Sequence, residues 1–339
     1  SKFLNDKNNQ IQLEAARAIG DEHIKTAMPN LANLYRSTKL TKNVMRRVLN
    51  ANYRLANAES LAIVAADKNY SVLARSEALN LLAAWKNPSG RDRISGLWRP
   101  IAQRDNSLAS AALVNKIEAI LLNNQGLVRS EAIAAASKLK LIQAGPALLT
   151  ILKDENAGKA RAQALRALGE IESYELGAAV SYANNTKDTS LRSEATRLAP
   201  KVKPVGAINK LESVLAKGSV KEQQSALIAL GELKDSGADK LLNKWLEKLI
   251  AKKVPAALTL ELLEAAAKRS DENIKAKLKS FNESRPDPRQ NFFALEPYFE
   301  TLEGGNAEKG KKVFYENVAL SCVRCHVING QGGEVGPVL

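Results

Sequence analysis

Aromatic residues make up only 5% of this 339-residue chain, and cysteine, methionine and histidine occur just twice each. So few rings leave no stacking aromatics interleaved with the basic positions, which speaks against a platform for single-stranded nucleic acid. With two cysteines and His23 as the only histidine besides His326, a four-ligand zinc site would have to recruit carboxylates. A dithiol redox pair would require a thioredoxin-like strand and helix around the cysteines, which the surroundings do not offer. No apolar run approaches the ~20 residues needed to cross a bilayer, and Ser1 to Asp6 lack the apolar core of a signal peptide. The chain therefore reads as soluble. It has no initiator Met and starts directly in helix-like sequence, as expected of a mature product or an excised fragment.

What is abundant is helix-forming sequence. Hydrophobic residues account for 45% of the chain, and the prevalence of Ala, Leu, Lys, Glu and Arg predicts an all-α fold with many small-residue helix contacts. The length permits one large domain or two or three ordinary ones. A net charge of +14, from 50 Lys and Arg against 36 Asp and Glu, makes nucleic acid, anionic lipid or an acidic protein an electrostatically reasonable partner. The basic residues are spread along almost every expected helix, however, as on a solvated surface.

A short pattern recurs: a basic residue, a small or polar residue, Glu or Gln, Ala, then an apolar position. Arg75 to Leu79, Arg129 to Ile133 and Arg192 to Ala195 match closely; Arg161 to Leu165 and Lys221 to Leu227 match loosely, and Gln12 to Ala16 looks like an earlier copy. Arg129, Arg161, Arg192 and Lys221 follow one another at nearly even intervals, each long enough for two helices though short for a helical-pair array. The longer gap between Arg75 and Arg129 leaves room for a degenerate copy headed by Leu108. Apolar residues within a unit fall at helical spacing, as in Ala164, Leu165, Leu168 and Ile171. Gly20, Gly169 and Gly231 are expected to close helices, and Pro29, Pro146 and Pro255 to open them.

These residues resemble the HEAT-repeat family over about residues 8 to 280. The resemblance implies an α-solenoid of helical pairs whose curved surface binds other macromolecules. Past Ser280 the register breaks. Ser284 to Gln290 contain two prolines that cannot continue a helix, so a linker is expected over 284–303, between a solenoid at 1–283 and a further domain at 304–339. The linker carries an aromatic-rich run from Asn291 to Phe299, which either caps the last repeat or docks the next domain.

Both cysteines fall in one motif, Cys322-Val323-Arg324-Cys325-His326. Two thiols so spaced can add to both vinyl groups of a haem, while the adjacent imidazole is presented to the iron. The flanking sequence Asn306 to Phe314 resembles the first helix of small c-type cytochromes, in which a Gly and an aromatic one turn later, here Gly310 and Phe314, form a helix crossing. The run from Gly330 to Leu339 resembles the stretch that ends that family's haem loop. The resemblance implies haem c on Cys322, Cys325 and His326, with the Pro337 carbonyl orienting the proximal histidine. It also implies a distal Met and a final helix, but only Val327 to Leu339 follow His326, and Met28 and Met45 lie far upstream. The chain is thus expected to stop inside the cytochrome domain. His23 could serve as a distal ligand, though a lone His near a helix end is ordinarily a surface or capping residue.

HEAT-like repeats followed by a short cytochrome resemble the C-terminal region of large membrane-bound dehydrogenases of planctomycete and verrucomicrobial type. That resemblance implies an extracytoplasmic, periplasmic location and no catalytic residues in this region. It also implies electron transfer from an upstream catalytic domain to an external redox carrier. A protein-binding scaffold without redox activity is the alternative, and a basic nucleic-acid-binding solenoid ranks below it.

Overall fold

The computed structural model describes residues 2–285, 296–317 and 320–339. Seventeen α-helices run through them, with one pair of two-residue strands, so the fold is all-α. None of these helices is long and apolar enough to cross a membrane. The chain divides into two compact units, 1–182 and 183–339.

The first unit contains α1 (Asn9–Asp21), α2 (Met28–Asn33), α3 (Lys42–Arg54), α4 (Ala58–Ala66), α5 (Val72–Ala83), α6 (Ser107–Leu122), α7 (Gly126–Lys138), α8 (Gly145–Lys153) and α9 (Ala160–Glu170). Helices α1, α3, α5, α7 and α9 pack successively as one row; α4, α6 and α8 form another, and each of these three rests on the helix that follows it. After α10 (Leu176–Asn184), the second unit repeats the arrangement. There α11 (Thr189–Val202), α13 (Val220–Glu232) and α15 (Ala256–Ala267) form one row, and α12 (Ala207–Lys217), α14 (Ser236–Ile250) and α16 (Glu272–Glu283) the other. The buried stripes are those of the three-to-four periodicity: Ala164, Leu165, Leu168 and Ile171 in the first unit, Leu227 and Leu230 in the second.

Side chains close the helix starts. Thr41, Ser71, Asp188, Asp235 and Asp271 accept from first-turn amides, and Ser219 forms a capping box with Glu222. Such a cap contributes about 1 kcal/mol. Pro29 and Pro146 lie in the first turns of α2 and α8, and Pro255 is the N-cap of α15. The helix ends depart from expectation. Gly20, Gly169 and Gly231 lie inside α1, α9 and α13, and the left-handed closing residues are His23, Ala56, Lys140, Glu172 and Lys252. After each, the next amide donates back to a carbonyl of the helix's last turns, as from Ile24 to Ile19 and from Leu141 to Ala136. Gly231 instead serves packing, because a Cβ there would lie 2.8 Å from the Ala265 Cα on α15.

The recurring basic residue closes the preceding helix from the side. Arg75, Arg129 and Arg161 each donate through Nε, at 3.0 Å, to a last-turn carbonyl of the helix before: Ala65, Leu121 and Leu152. Arg192 differs: its Nε pairs with Glu222 at 2.8 Å and a terminal nitrogen reaches the Thr186 carbonyl, just past the end of α10, at 3.1 Å. In the next repeat the equivalent residue is Gln223, bonded at 2.8 Å to the Leu215 carbonyl, and not Lys221; taking Gln223 as the counterpart makes the repeat interval more even. Gln12 does the same for the Leu4 carbonyl. Arg75 and Arg129 are only 5% and 7% exposed, and these hydrogen bonds offset part of the cost of burying a guanidinium.

The long gap after Arg75 holds no degenerate repeat. Leu108 lies at the start of α6, in the row of α4 and α8, and residues 84–106 form an inserted loop. Asp92 anchors this loop, accepting from Asn50 and the Ile94 and Ser95 amides at 2.9 Å and pairing with Arg54 at 3.2 Å. Burial pushes the Asp92 carboxyl upward, but those hydrogen bonds and the Arg54 charge outweigh it and hold the group below the usual range. The Arg104 guanidinium stacks over the rings of Trp85 and Tyr53, 4.1 and 4.5 Å from them.

The expected linker contains a 3-10 segment, Glu296–Thr301, packed on α15. Arg285 pairs with Glu300 at 2.6 Å and Gln224 donates to the Gly304 carbonyl at 3.1 Å, so this stretch lies along the last helices of the unit. Phe292 and Phe293, also named in the aromatic run, lie outside the described residues.

Candidate functional site

Helix α17 (Ala307–Glu316) opens the C-terminal segment, with Asn306 as its N-cap. Gly310 and Phe314 both lie on it, and a Cβ at Gly310 would meet nothing within 4 Å. Ser321, left-handed at φ 51, turns the chain into a 3-10 segment over Cys322–Arg324. The Cys325 and His326 amides then both donate to the Cys322 carbonyl, at 3.1 and 3.0 Å. This tight coil sets both sulfurs and the imidazole on one short loop, with both thiols free.

A hairpin returns the chain. Strands β1 (Val327–Ile328) and β2 (Gln331–Gly332) pair antiparallel across Asn329 and Gly330, whose φ values of 50 and 75 are those of a type I′ turn. Asn-Gly is the strongest short signal for such a turn, so it could have been read from the sequence. The Tyr315 hydroxyl of α17 donates to the Ile328 carbonyl at 3.1 Å.

The glycines of the tail allow it to lie against the loop. The Gly333 amide donates to the Val323 carbonyl at 2.9 Å and the Gly336 amide to the Cys325 carbonyl at 2.6 Å. A Cβ at Gly333 would collide with the Arg324 carbonyl oxygen, and one at Gly336 would come within 2.8 Å of the His326 ring. This approach sets the Pro337 carbonyl oxygen 2.9 Å from His326 Nδ1. A carbonyl can only accept, so Nδ1 is the donor in this pair, and in the neutral ring the lone pair then lies on Nε2, the form in which imidazole ligates a metal.

The four residues singled out from the sequence, Cys322, Cys325, His326 and Pro337, thus come together. His23 has a different part: it closes α1 in the left-handed conformation, and burial together with Arg54, Arg99 and Lys25 depresses its pKa. Met28 and Met45 are buried in the first unit's core. Many arginines behind the net charge are engaged internally, including Arg47 with Asp21 and Arg93 with Glu77 besides the helix-closing set. The sequence matches no protein-family model and no curated protein, so the meaning of this site rests on its own geometry.

Proposed function

We propose that residues 304–339 carry a covalently bound c-type haem and that the chain serves in electron transfer outside the cytoplasm. The observation that carries this reading is the 2.9 Å contact between His326 Nδ1 and the Pro337 carbonyl, on a loop with two free thiols. The donor set suits the group: Cys322 and Cys325 would each add S–H across one vinyl bond, and Nε2 of His326 would face the iron. When bound, a haem supplies reversible one-electron chemistry at iron. This chain's own residues fix the imidazole tautomer through Pro337 and keep the ring approachable through Gly336. Apolar side chains stand exposed in the same segment, Leu320 at 61%, Val338 at 75% and Val335 at 86%, as a segment that receives a large apolar group requires.

The helical rows are read as a HEAT-like α-solenoid that presents this segment, with substrate oxidation assigned to an upstream catalytic domain and an external carrier as electron acceptor. Covalent haem attachment places the protein in the periplasm or an equivalent compartment.

The test is production of the protein with haem-maturation machinery. Covalent haem that survives denaturation, with absorption bands that shift on reduction, is expected from the parent protein and absent from Cys322→Ser/Cys325→Ser. A parent protein without covalent haem sinks the proposal.

A further inference from the structure

The amino-terminal turns of α3 and α5 enclose a cavity of about 270 Å³, remote in sequence from the cysteine motif. Met45, Leu49 and Leu73 supply its apolar wall, and Lys42, Arg46 and Glu77 its polar one. Met45 and Leu49 are buried, whereas Leu73 is half exposed and leaves its side chain available at the mouth.

The charges are not balanced. Glu77 is already held by Arg93 of the inserted loop through two 3.0 Å hydrogen bonds, and Arg93 also donates to Asn80 Oδ1. Lys42 and Arg46, one helical turn apart, have no acidic partner among the described residues. The insertion therefore neutralises the one carboxylate of the wall and leaves two cations beside an apolar recess. Two like charges one turn apart repel mildly, and an anion relieves that cost.

We infer that this cavity binds the carboxyl terminus of a partner protein that ends in an aliphatic residue: the side chain fills the recess and the carboxylate meets Lys42 and Arg46. The volume sets the class. At about 270 Å³ the recess lies just below the ~300 to 1,000 Å³ of pockets for drug-sized ligands, which suits one aliphatic side chain with its carboxylate at the mouth beside Lys42 and Arg46. Charge complementarity decides between peptide ends, since a neutral or cationic apolar group would leave both cations unmatched while covering them.

The experiment is fluorescence anisotropy with a fluorescein-labelled Gly-Ser-Gly-Ser-Leu-Leu peptide, its carboxyl-terminal amide, and the full chain. Saturable binding of the free acid is expected. Amidation of the peptide, or Lys42→Glu/Arg46→Glu in the protein, should each weaken it at least about tenfold, or about 1.4 kcal/mol. Both positions are exposed, so an unchanged circular-dichroism melt will verify that the doubly reversed variant folds. Binding that survives amidation or charge reversal overturns the inference, as does absence of saturation up to about 1 mM peptide. Haem content plays no part in this readout, so failure here and failure of the electron-transfer reading are distinguishable.

Discussion

In the second unit Leu211, Leu227, Leu230, Leu242 and Leu262 are buried between two rows of helices, whereas between Gly304 and Leu339 no described residue is buried. Each buried leucine contributes roughly 1.5–3 kcal/mol from area removed from water, and the array holds dozens of such side chains across both units. The C-terminal segment has no comparable source. Backbone hydrogen bonds and glycine-permitted close approaches hold it together, and each such bond nets only about 0.5–1.5 kcal/mol. A scaffold that folds by burial thus carries a site that folds by geometry. A site of the second kind is the one that gains most from a ligand able to bring apolar surface of its own.

The largest effect is expected where the array buries charge. Asp92 and Arg54 are 2% and 11% exposed, and Asp92→Ala removes the counter-charge of the guanidinium, leaving it the Arg99 carbonyl. A loss of about 3–5 kcal/mol is expected on chemical denaturation. The pH dependence has a definite sign. A carboxyl whose pKa is lower folded than unfolded stabilises above the unfolded value and loses that contribution as pH falls through the folded one. The parent protein should therefore lose stability as pH drops below about 4, and Asp92→Ala should lose less over that interval. Equal acid sensitivity of the two would show that the inserted loop is not fastened by this ion.

A smaller effect tests the helix-closing arginines. Arg129→Met keeps the apolar stem but leaves the Leu121 and Leu122 carbonyls without the guanidinium. The expected cost is about 1–3 kcal/mol in the denaturation midpoint, with Arg129→Gln, which imitates Gln223, recovering part of it. If both variants melt like the parent protein, the recurring residue is a surface feature of the repeat and not one of its fasteners.

How much of this was legible in the sequence follows the same division. Helical periodicity and the recurring Arg-x-Glu-Ala pattern point directly to paired helices, because burial repeats with the helix turn. The register of the Gln223 copy was not legible, since Lys221 matches the pattern by charge while Gln223 matches it by reach. Glycine does not mark the helix ends: Gly20, Gly169 and Gly231 lie inside helices, while non-glycine residues such as His23, Lys140 and Glu172 accept the left-handed conformation, each offset by a carbonyl bond that local composition does not display. The inserted loop after α5 was hidden as well, since its anchors, Asp92, Arg93 and Arg104, find partners far along the chain, as Arg104 does at the Tyr53 carbonyl. At the motif, residue identity and spacing pointed to Cys322, Cys325 and His326. The Asn329-Gly330 pair also carries a readable hairpin signal, whereas the seating of the tail on Gly333 and Gly336 emerges only once the backbone is drawn.

The finest comparison of array and tail lies in a single methyl group. Gly333→Ala places a Cβ against the Arg324 carbonyl, a backbone atom that cannot rotate away, so the tail must lift from the loop and the Gly333 bond to Val323 must break. Because nothing buried depends on that contact, the array's denaturation midpoint should move by no more than about 0.5 kcal/mol, as for a surface change. Amide exchange over residues 320–339 should nevertheless accelerate, and with Pro337 displaced from His326 the imidazole should lose its fixed tautomer, visible in the nitrogen-15 shifts of the ring. A stability loss above about 1 kcal/mol would mean instead that the tail belongs to the array's cooperative unit, because a strained glycine can affect global unfolding only when the segment it distorts unfolds with the rest.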